Sequence, residues 1–160
     1  MKPGQFVGVL RTTYVNKDFI RNHACPLDAV RFGYITSDGR LKTVPDNFLS
    51  DGGSIPRIFQ NIIRRDELMP AFIIHDRDYA IQDISRKQAD LDLSEAIYTL
   101  TCGYYTFKRT LIYLGVRSIF GKMAWNFHKT KERKAEIDRI KELYPTQQIK
   151  QCKTCRKHCK

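Results

Sequence analysis

The sequence predicts an α+β fold, with a small N-terminal antiparallel sheet followed by a bundle of about four to five helices. β-branched and aromatic residues are enriched in residues 5–15 and 29–36, and a helical spacing of apolar residues takes over after residue 58. Strands followed by helices favour this class over a doubly wound α/β fold, in which the two alternate. With 42% hydrophobic residues among 160, the chain has enough apolar material for one core.

We therefore expect one domain over residues 1–144 and a basic tail over residues 145–160. Within the domain, residues 1–57 should hold the strands and a glycine loop, and residues 58–144 should hold the helices. The boundary falls at Pro145, because proline closes the last predicted helix.

One hairpin organises the predicted sheet. The strand over residues 29–36 runs into Asp38-Gly39, a strong turn signal. Residues 41–44 return as its partner as far as Pro45, which cannot donate to a ladder. The segments around the hairpin are predicted as one further strand and two loops, over residues 5–15, 16–27 and 46–57.

Apolar periodicity and terminal signals define the helices. Pro70 suits a first turn, where its missing N–H costs nothing, and Ser85 with Gln88 forms a capping-box pattern. Gly103 and Gly121 are expected to end the helices that precede them. The predicted helices cover residues 58–63, 70–82, 85–101, 104–120 and 122–144.

The net charge of +11 is concentrated near the C-terminus. Residues 122–160 contain 12 Lys and Arg against 4 Asp and Glu. Such a segment can meet nucleic acid, an anionic lipid surface or an acidic partner, and it can equally be a solvated helix face with a soluble tail. Its aromatic residues Trp125, Phe127 and Tyr144 fit the buried face of an amphipathic helix better than a nucleic-acid surface.

Neither a membrane span nor a secreted disulfide framework is predicted. No apolar run has the length of a transmembrane helix, and the N-terminus lacks the features of a signal peptide. The five cysteines are an odd number, and Cys25 and Cys102 stand alone. We expect a soluble protein made in a cytoplasm.

The tail carries residue types that bind zinc, at Cys152, Cys155, His158 and Cys159. A zinc site normally separates two ligand pairs by a dozen or so residues, whereas these four lie close together. A knuckle that uses three of them with Cys102 or Cys25 is one interpretation. A flexible, redox-sensitive tail is the other.

The strongest candidate site surrounds His75. Tyr79 lies one helical turn later on the same face, and Asp76 points about 100° round the helix. Asp90, near the start of the next helix, faces back towards His75 if the two helices pack antiparallel. There it can accept from the second imidazole nitrogen and fix the tautomer of a catalytic histidine. We predict His75 as a general base and Asp90 as its orienting carboxylate.

A glycine loop upstream supplies a second candidate part of the site. In Asp51-Gly52-Gly53-Ser54 the glycines permit positive φ and a close backbone approach to an ion or a substrate oxygen. The same residues also make a good turn, with Ser54 as a helix cap and Pro56 in the first turn. For the loop alone, the turn is the favoured interpretation.

Three stretches together form a specific pattern: Ser50-Asp51-Gly52-Gly53-Ser54-Ile55-Pro56-Arg57, His75-Asp76-x-x-Tyr79 and Ser85-Arg86-Lys87-x-Ala89-Asp90. This pattern resembles a family of uncharacterised small proteins of tailed bacteriophages and prophages. The resemblance covers about residues 28–125, including Val116-Arg117-x-x-Phe120-Gly121. It implies a phage protein, in the virion or the host cytoplasm, and transfers no activity.

A histidine-aspartate pair followed by Ala-Asp on the next helix, after a glycine loop, is also similar to the phospholipase A₂ site, particularly the disulfide-free form in parvoviral capsids. The similarity implies that His75 activates water and that Asp90 orients the imidazole of His75. It implies calcium as a cofactor, bound by Asp76 with Asp51 and the carbonyls around Gly52 and Gly53. Tyr79, Arg86 and Ser54 are assigned as supporting residues.

The chain departs from the phospholipase pattern in the loop. The separation between Gly53 and His75 is longer than in the viral pattern, and the usual tyrosine-led spacing is missing. The cysteines that flank the histidine in the secreted enzymes are also absent. The departures in the loop concern the calcium site and leave the histidine and its carboxylate unaffected.

Three functions therefore stay open. The first is calcium-assisted hydrolysis of a lipid or another ester, with anionic lipid as the partner. The second is a non-catalytic virion, tail or assembly component that binds phage structural proteins, in which His75, Asp76 and Asp90 form a buried network. The third is an accessory protein that binds nucleic acid or a host factor through residues 122–160.

Overall fold

A computed structural model describes residues 2–16, 19–23, 30–51 and 65–143. These residues form two small antiparallel sheets followed by five helices, so the predicted α+β class is confirmed. One sheet has the strand order β1-β4-β5 and the other has the order β2-β3-β6. The strands are β1 (Gln5–Val7), β2 (Thr12–Tyr14), β3 (Ile20–Asn22), β4 (Gly33–Ile35), β5 (Leu41–Thr43) and β6 (Leu49–Ser50).

The helices follow one another closely along the chain. The helix α1 packs against α2, α2 packs against α3, and α3 contacts α4. None of the helices in the described part of the chain combines the length and apolarity needed to cross a membrane. Their bounds are α1 (Arg65–Ile81), α2 (Arg86–Leu100), α3 (Thr106–Arg117), α4 (Ile119–Phe127) and α5 (Lys131–Leu143).

The predicted hairpin is confirmed, and the strands around it differ from the prediction. β4 and β5 pair antiparallel, and Gly39 in their turn has a φ of +89°. The single strand predicted over residues 5–15 is wrong, because Gly8 takes a φ of +70° and the chain passes from one sheet to the other. A Cβ at Gly8 would lie 2.6 Å from the carbonyl oxygens of Val30 and Arg31. Both β3 and β6 lie in segments that were predicted as loops.

The helix boundaries also differ from the prediction. The chain is helical from Arg65, so Pro70 lies inside α1 and not in its first turn. The helix predicted over residues 104–120 ends at Ser118, whose ψ of 179° is extended. Gly121, expected to end that helix, lies inside α4. The long helix predicted over residues 122–144 is therefore replaced by α4 and α5, which are separate helices. The helix predicted over residues 58–63 lies outside the described residues.

One hydrophobic core joins the first sheet to the helices. Tyr34 of β4 is fully buried, and its hydroxyl lies 3.0 Å from both Glu95 and Thr99 of α2. A second, smaller cluster joins the other sheet to α5. The first core includes Val44, Leu68, Ile73, Ile74, Leu93, Ile97 and Ile112, and the second includes Phe19 and Leu49 with Val15 and Ile137.

A buried ionic cluster also links the first sheet to α1 and α2. The Lys42 side chain of β5 is 3% exposed; it contacts Asp78 and lies 2.5 Å from Asp92. Arg40 pairs with Asp92, and Arg77 with Asp78, each at 2.9 Å. Burial opposes the ionisation of Asp92, but hydrogen bonds from Arg40 and Lys42 prevail and lower its pKa. Charge pairing therefore fixes the sheet against the two helices that carry the candidate site.

Candidate functional site

The start of α2 places Asp90 against α1. Ser85 is the N-cap of α2, and its hydroxyl oxygen accepts from the backbone N–H of Gln88 at 3.2 Å, as the capping pattern predicted. The Gln88 side chain donates to Asp92 at 2.8 Å, so it does not complete the box. Ala89 and Asp90 are both fully buried in the first turns of the helix. The cap thus begins a helix whose first turns face the protein interior.

Asp90 accepts hydrogen bonds from three side chains. His75 Nε2 lies 3.0 Å from Oδ1, and the Tyr79 hydroxyl donates to the same oxygen at 2.8 Å. The guanidinium of Arg117 donates to Oδ2 at 3.0 Å. Because a carboxylate only accepts hydrogen bonds, Nε2 of His75 carries a proton in this arrangement. The sequence-predicted pair is therefore in contact, and α1, α2 and α3 meet at one carboxylate.

The two aromatic residues of α1 form one side of the site. His75 and Tyr79 are one turn apart, and their ring centroids are 4.2 Å apart. The rings of Tyr79 and of Trp125 from α4 are perpendicular with their centroids 4.9 Å apart, and the His128 ring is perpendicular to Tyr79 at 6.1 Å. Gln82, at the end of α1, donates its amide to the Trp125 carbonyl at 2.8 Å. The C-terminal half of α4 is thus attached directly to the site.

The junction between α3 and α4 holds Arg117 in place. Arg86 donates to the carbonyl of Val116 at 3.2 Å, immediately before Arg117. A Cβ on Gly121 would lie 1.8 Å from that same carbonyl oxygen. Glycine is therefore required at this position for α4 to lie so close to the end of α3. Two of the supporting residues predicted from the sequence, Tyr79 and Arg86, hence contact the site or the segment that bears Arg117.

Burial controls the protonation of the Tyr79 hydroxyl and of the His128 imidazole that packs against the Tyr79 ring. Burial and the adjacent negative charge of Asp90 raise the pKa of the Tyr79 hydroxyl far above its ordinary value, so Tyr79 remains a donor. Burial lowers the pKa of His128 below 6.5, the positive charge of Arg133 lowers it further, and the negative charge of Asp51 acts in the opposite direction. His128 is thus neutral at neutral pH and lies in the electrostatic range of His75.

The lowered pKa of His128 predicts a loss of stability in mild acid. Between its ordinary pKa of 6.5 and its lower value in the fold, the unfolded chain binds more protons at this residue than the folded chain. The free energy of unfolding should therefore fall as the pH drops below 6.5, and the fall should be smaller in His128→Gln. Urea denaturation at about pH 7.5 and about pH 5.5 measures this difference. An identical pH dependence in wild type and His128→Gln would contradict the assignment.

The predicted calcium ligands are described only in part. The Ser50 hydroxyl, at the end of β6, donates to the carboxylate of Asp76 on α1. Asp51 follows Ser50 and lies within electrostatic range of His128. The other predicted loop residues, Gly52, Gly53 and Ser54, lie outside the described residues. Asp76 therefore contacts Ser50, the residue immediately before the predicted loop.

The predicted zinc residues Cys152, Cys155, His158 and Cys159 also lie outside the described residues. Cys102, considered as a partner for them, is an exposed free cysteine after α2. Within residues 2–16, 19–23, 30–51 and 65–143, no three His, Cys, Asp or Glu side chains are grouped so that they could hold a metal ion.

Sequence reasoning did not assign three of the residues around Asp90. Arg117 lies in the stretch Val116-Arg117-x-x-Phe120-Gly121, which the sequence shares with the phage family. That shared position was the only indication in the sequence that Arg117 belongs to the site. Trp125 was expected on the buried face of a helix, without any link to the site. No pattern singled out His128, because the break between α4 and α5 that presents it was not predicted.

Fold and site together define an α+β protein with a buried histidine-aspartate pair, whose carboxylate is shared with a tyrosine and an arginine. The chain belongs to the family described as protein of unknown function (DUF1353), whose model matches residues 29–116. That range includes His75, Tyr79 and Asp90. Arg117, the fourth residue of the network, directly follows the matched range. Comparisons with curated proteins and with solved structures gave no match.

Proposed function

We propose that the protein is a small ester hydrolase in which His75 activates water, and that phospholipids are its substrate class. One observation carries the proposal: Asp90 binds Nε2 of His75, and the other ring nitrogen has no hydrogen-bond partner among the described residues. A neutral imidazole with a proton on Nε2 keeps its lone pair on Nδ1, where a general base needs it.

The reaction follows from this tautomer. Nδ1 of His75 takes a proton from a water molecule while the water oxygen forms a bond to the ester carbonyl carbon. The bond between that carbon and the alcohol oxygen then breaks, and Nδ1 returns the proton to the leaving alcohol. The products are a carboxylic acid and an alcohol.

The shared carboxylate stabilises the charged intermediate state of the histidine. When Nδ1 holds the water proton, the ring is an imidazolium, and the negative charge of Asp90 lies 3.0 Å from its Nε2. Tyr79 and Arg117 hold the same carboxylate on its two oxygens, so it cannot rotate away. They are positioning residues in this proposal, because each acts through Asp90.

Calcium assistance is the part of the proposal that rests most on the resemblance to phospholipase A₂. Asp76 and Asp51 would contribute carboxylates, and Gly52 and Gly53 would contribute carbonyl oxygens, to an ion that polarises the ester carbonyl. Asp76 already accepts from Ser50, and the side chains of the described residues do not complete a metal site by themselves. The steps proposed for ester hydrolysis therefore do not involve the ion.

We also propose a phage or prophage origin, with the protein in the virion or the host cytoplasm. The support is the resemblance of the loop, His75-Asp76-x-x-Tyr79 and Ser85-Arg86-Lys87-x-Ala89-Asp90 stretches to the phage family. All three stretches lie within the matched residues 29–116.

Hydrolysis of two substrates tests the proposed activity. A short-chain soluble ester reports the chemistry alone, and vesicles of anionic phospholipid report it on a lipid surface. Wild type and the matched control His23→Ala should release product at equal rates, since His23 bonds Thr13 away from the site. His75→Ala should be slower by about 10⁴-fold, at the upper end for a general base. Calcium and chelator arms test the ion, and negligible release by wild type on both substrates would overturn the proposal.

A second function is favoured by the burial of the same residues. The His75 side chain is 8% exposed and Asp90 is fully buried, which also suits a network that only holds helices together in a non-catalytic virion or assembly component. In that case His75→Ala should lose about 3–5 kcal/mol of stability and no activity would exist to lose. Urea denaturation of His75→Ala, measured beside the hydrolysis assay, separates the two functions.

A further inference from the structure

The helix α4 exposes four large apolar side chains. Ile119 and Phe120 are each 71% exposed, Met123 is 64% exposed and Phe127 is 46% exposed. At about 100° per residue, these four positions fall within an arc of about 100° on one side of the helix. We call this arc the apolar face of α4. Its exposure is unusual, because a helix normally turns such residues towards the core.

The opposite side of α4 is occupied by the protein. Gly121 is buried against the Val116 carbonyl, and Trp125 packs against Tyr79. The apolar face therefore cannot turn inwards without removing these two contacts. The helix is held with its apolar face outwards by the residues that join it to the candidate site.

The charged residues in the stretch of sequence that contains α4 all have the same sign. Between residues 96 and 131 the sequence contains no Asp or Glu. Three exposed lysines lie on or next to the helix, Lys122 within it and Lys129 and Lys131 just beyond it. The positively charged residues of this stretch are Lys108, Arg109, Arg117, Lys122, Lys129 and Lys131. An exposed apolar face with three exposed lysines on or next to its helix complements an anionic phospholipid bilayer.

We propose that α4 docks the protein on an anionic phospholipid surface, with Ile119, Phe120, Met123 and Phe127 inserted among the acyl chains and lysines on the headgroups. The proposal rests on the proposed function for its purpose, since it names where the ester substrate is met. An acidic protein would satisfy the lysines, but it gives no reason for four protruding apolar side chains on one short helix. A bilayer accepts both groups at its interface.

The position of α4 explains how docking serves the site. The ring centroids of Trp125 and Tyr79 are 4.9 Å apart, and the backbone carbonyl of Trp125 accepts a hydrogen bond from Gln82 at 2.8 Å. Trp125 lies on the side of the helix away from the apolar face. One helix thus contacts the membrane on one side and the ring beside His75 on the other. Docking holds the site within a helix diameter of the lipid headgroups.

Vesicle flotation of the full chain tests the docking surface. Vesicles of phosphatidylcholine alone are compared with vesicles that contain about one third phosphatidylglycerol. Wild type should float with the anionic vesicles, and Phe120→Ser should weaken binding by about tenfold. Lys122→Gln should weaken it by about fivefold, and added salt should have a similar effect. Leu41→Ser is the matched control, because Leu41 is 59% exposed on β5, away from α4, and its loss should leave binding unchanged.

The outcomes of binding and catalysis are distinguishable. Flotation of wild type and His75→Ala, with no ester release by either, supports docking and overturns the hydrolase. Release from the soluble ester without flotation overturns docking and leaves the hydrolase in place. Equal flotation of wild type and Phe120→Ser overturns the apolar face as the docking surface. A wild-type dimer that Phe120→Ser converts to monomer, with no flotation, would show that a second copy covers the face and would overturn docking on lipid.

Discussion

Asp90→Asn is expected to reduce ester hydrolysis by about 10³-fold. Asparagine has nearly the same shape, but it is uncharged and its NH2 group replaces one of the two oxygens that accept from His75, Tyr79 and Arg117. The imidazole then loses the negative charge that stabilises its protonated form, and Nε2 loses its fixed acceptor. Steady-state kinetics on the soluble ester measure the effect, which should appear in kcat more than in KM because Asp90 is held away from the substrate by His75.

The matched control for this substitution is Asp92→Asn. Asp92 lies two residues later on the same helix and is equally buried, but it pairs with Lys42 and Arg40 and makes no contact with His75. The Asp92→Asn variant should be less stable than wild type but should keep the same hydrolytic activity per folded molecule. Equal activity of Asp90→Asn and Asp92→Asn would show that the His75 and Asp90 pair has no part in hydrolysis.

Lys42→Ala is expected to lower the free energy of unfolding by about 3–5 kcal/mol. The lysine ammonium contacts both Asp78 and Asp92, and all three side chains are 3% exposed or less. Its removal leaves two buried carboxylates with less positive charge between them, and the sheet loses its ionic link to α1 and α2. Urea denaturation followed by circular dichroism measures the loss.

An exposed lysine controls for the general effect of losing one positive charge. Lys131→Ala, at the start of α5, should change the free energy of unfolding by less than about 0.5 kcal/mol. If Lys42→Ala lost as little, Arg40 and Arg77 alone would be enough to neutralise Asp92 and Asp78. The ionic cluster would then be redundant for stability.

The hairpin and the capped helix were predictable because their signals are local. Asp38-Gly39 specifies a turn by its own backbone preferences, and Ser85 caps α2 through a contact three residues away. The strands β3 and β6 were not predictable in this way. Each is three residues or fewer, and the two pair with each other although Ile20 and Ser50 are far apart in the sequence. β3 also pairs with the nearby β2, but no turn signal in the sequence marked that hairpin.

The two breaks around α4 were missed for a related reason. Apolar periodicity runs on from α3 towards α5, so the sequence reads as long helices, and Gly121 looks like a terminator. In the structure Gly121 is a point of close contact with Val116, and the chain bends at Ser118 instead. Tertiary packing therefore decided a boundary that local signals had placed three residues away.

The core of the site was predictable, and its outer members were not. His75, Tyr79 and Asp90 lie on consecutive helices, so helical spacing and antiparallel packing were enough to predict their contact. Arg117 comes from a third helix, 27 residues beyond Asp90, and nothing in its own surroundings indicates a carboxylate partner. His128 depends in addition on the break after α4.

The three donors to Asp90 have a consequence for synthesis of the chain on the ribosome. His75 and Tyr79 emerge before Asp90, but the guanidinium of Arg117, which is always charged, emerges 27 residues after it. A buried carboxylate without a compensating charge is costly, so α1 and α2 gain little from packing until α3 has left the tunnel. We expect the helices of the nascent chain to assemble in one late step, so that no ribosome-bound fragment ending before residue 117 forms the site.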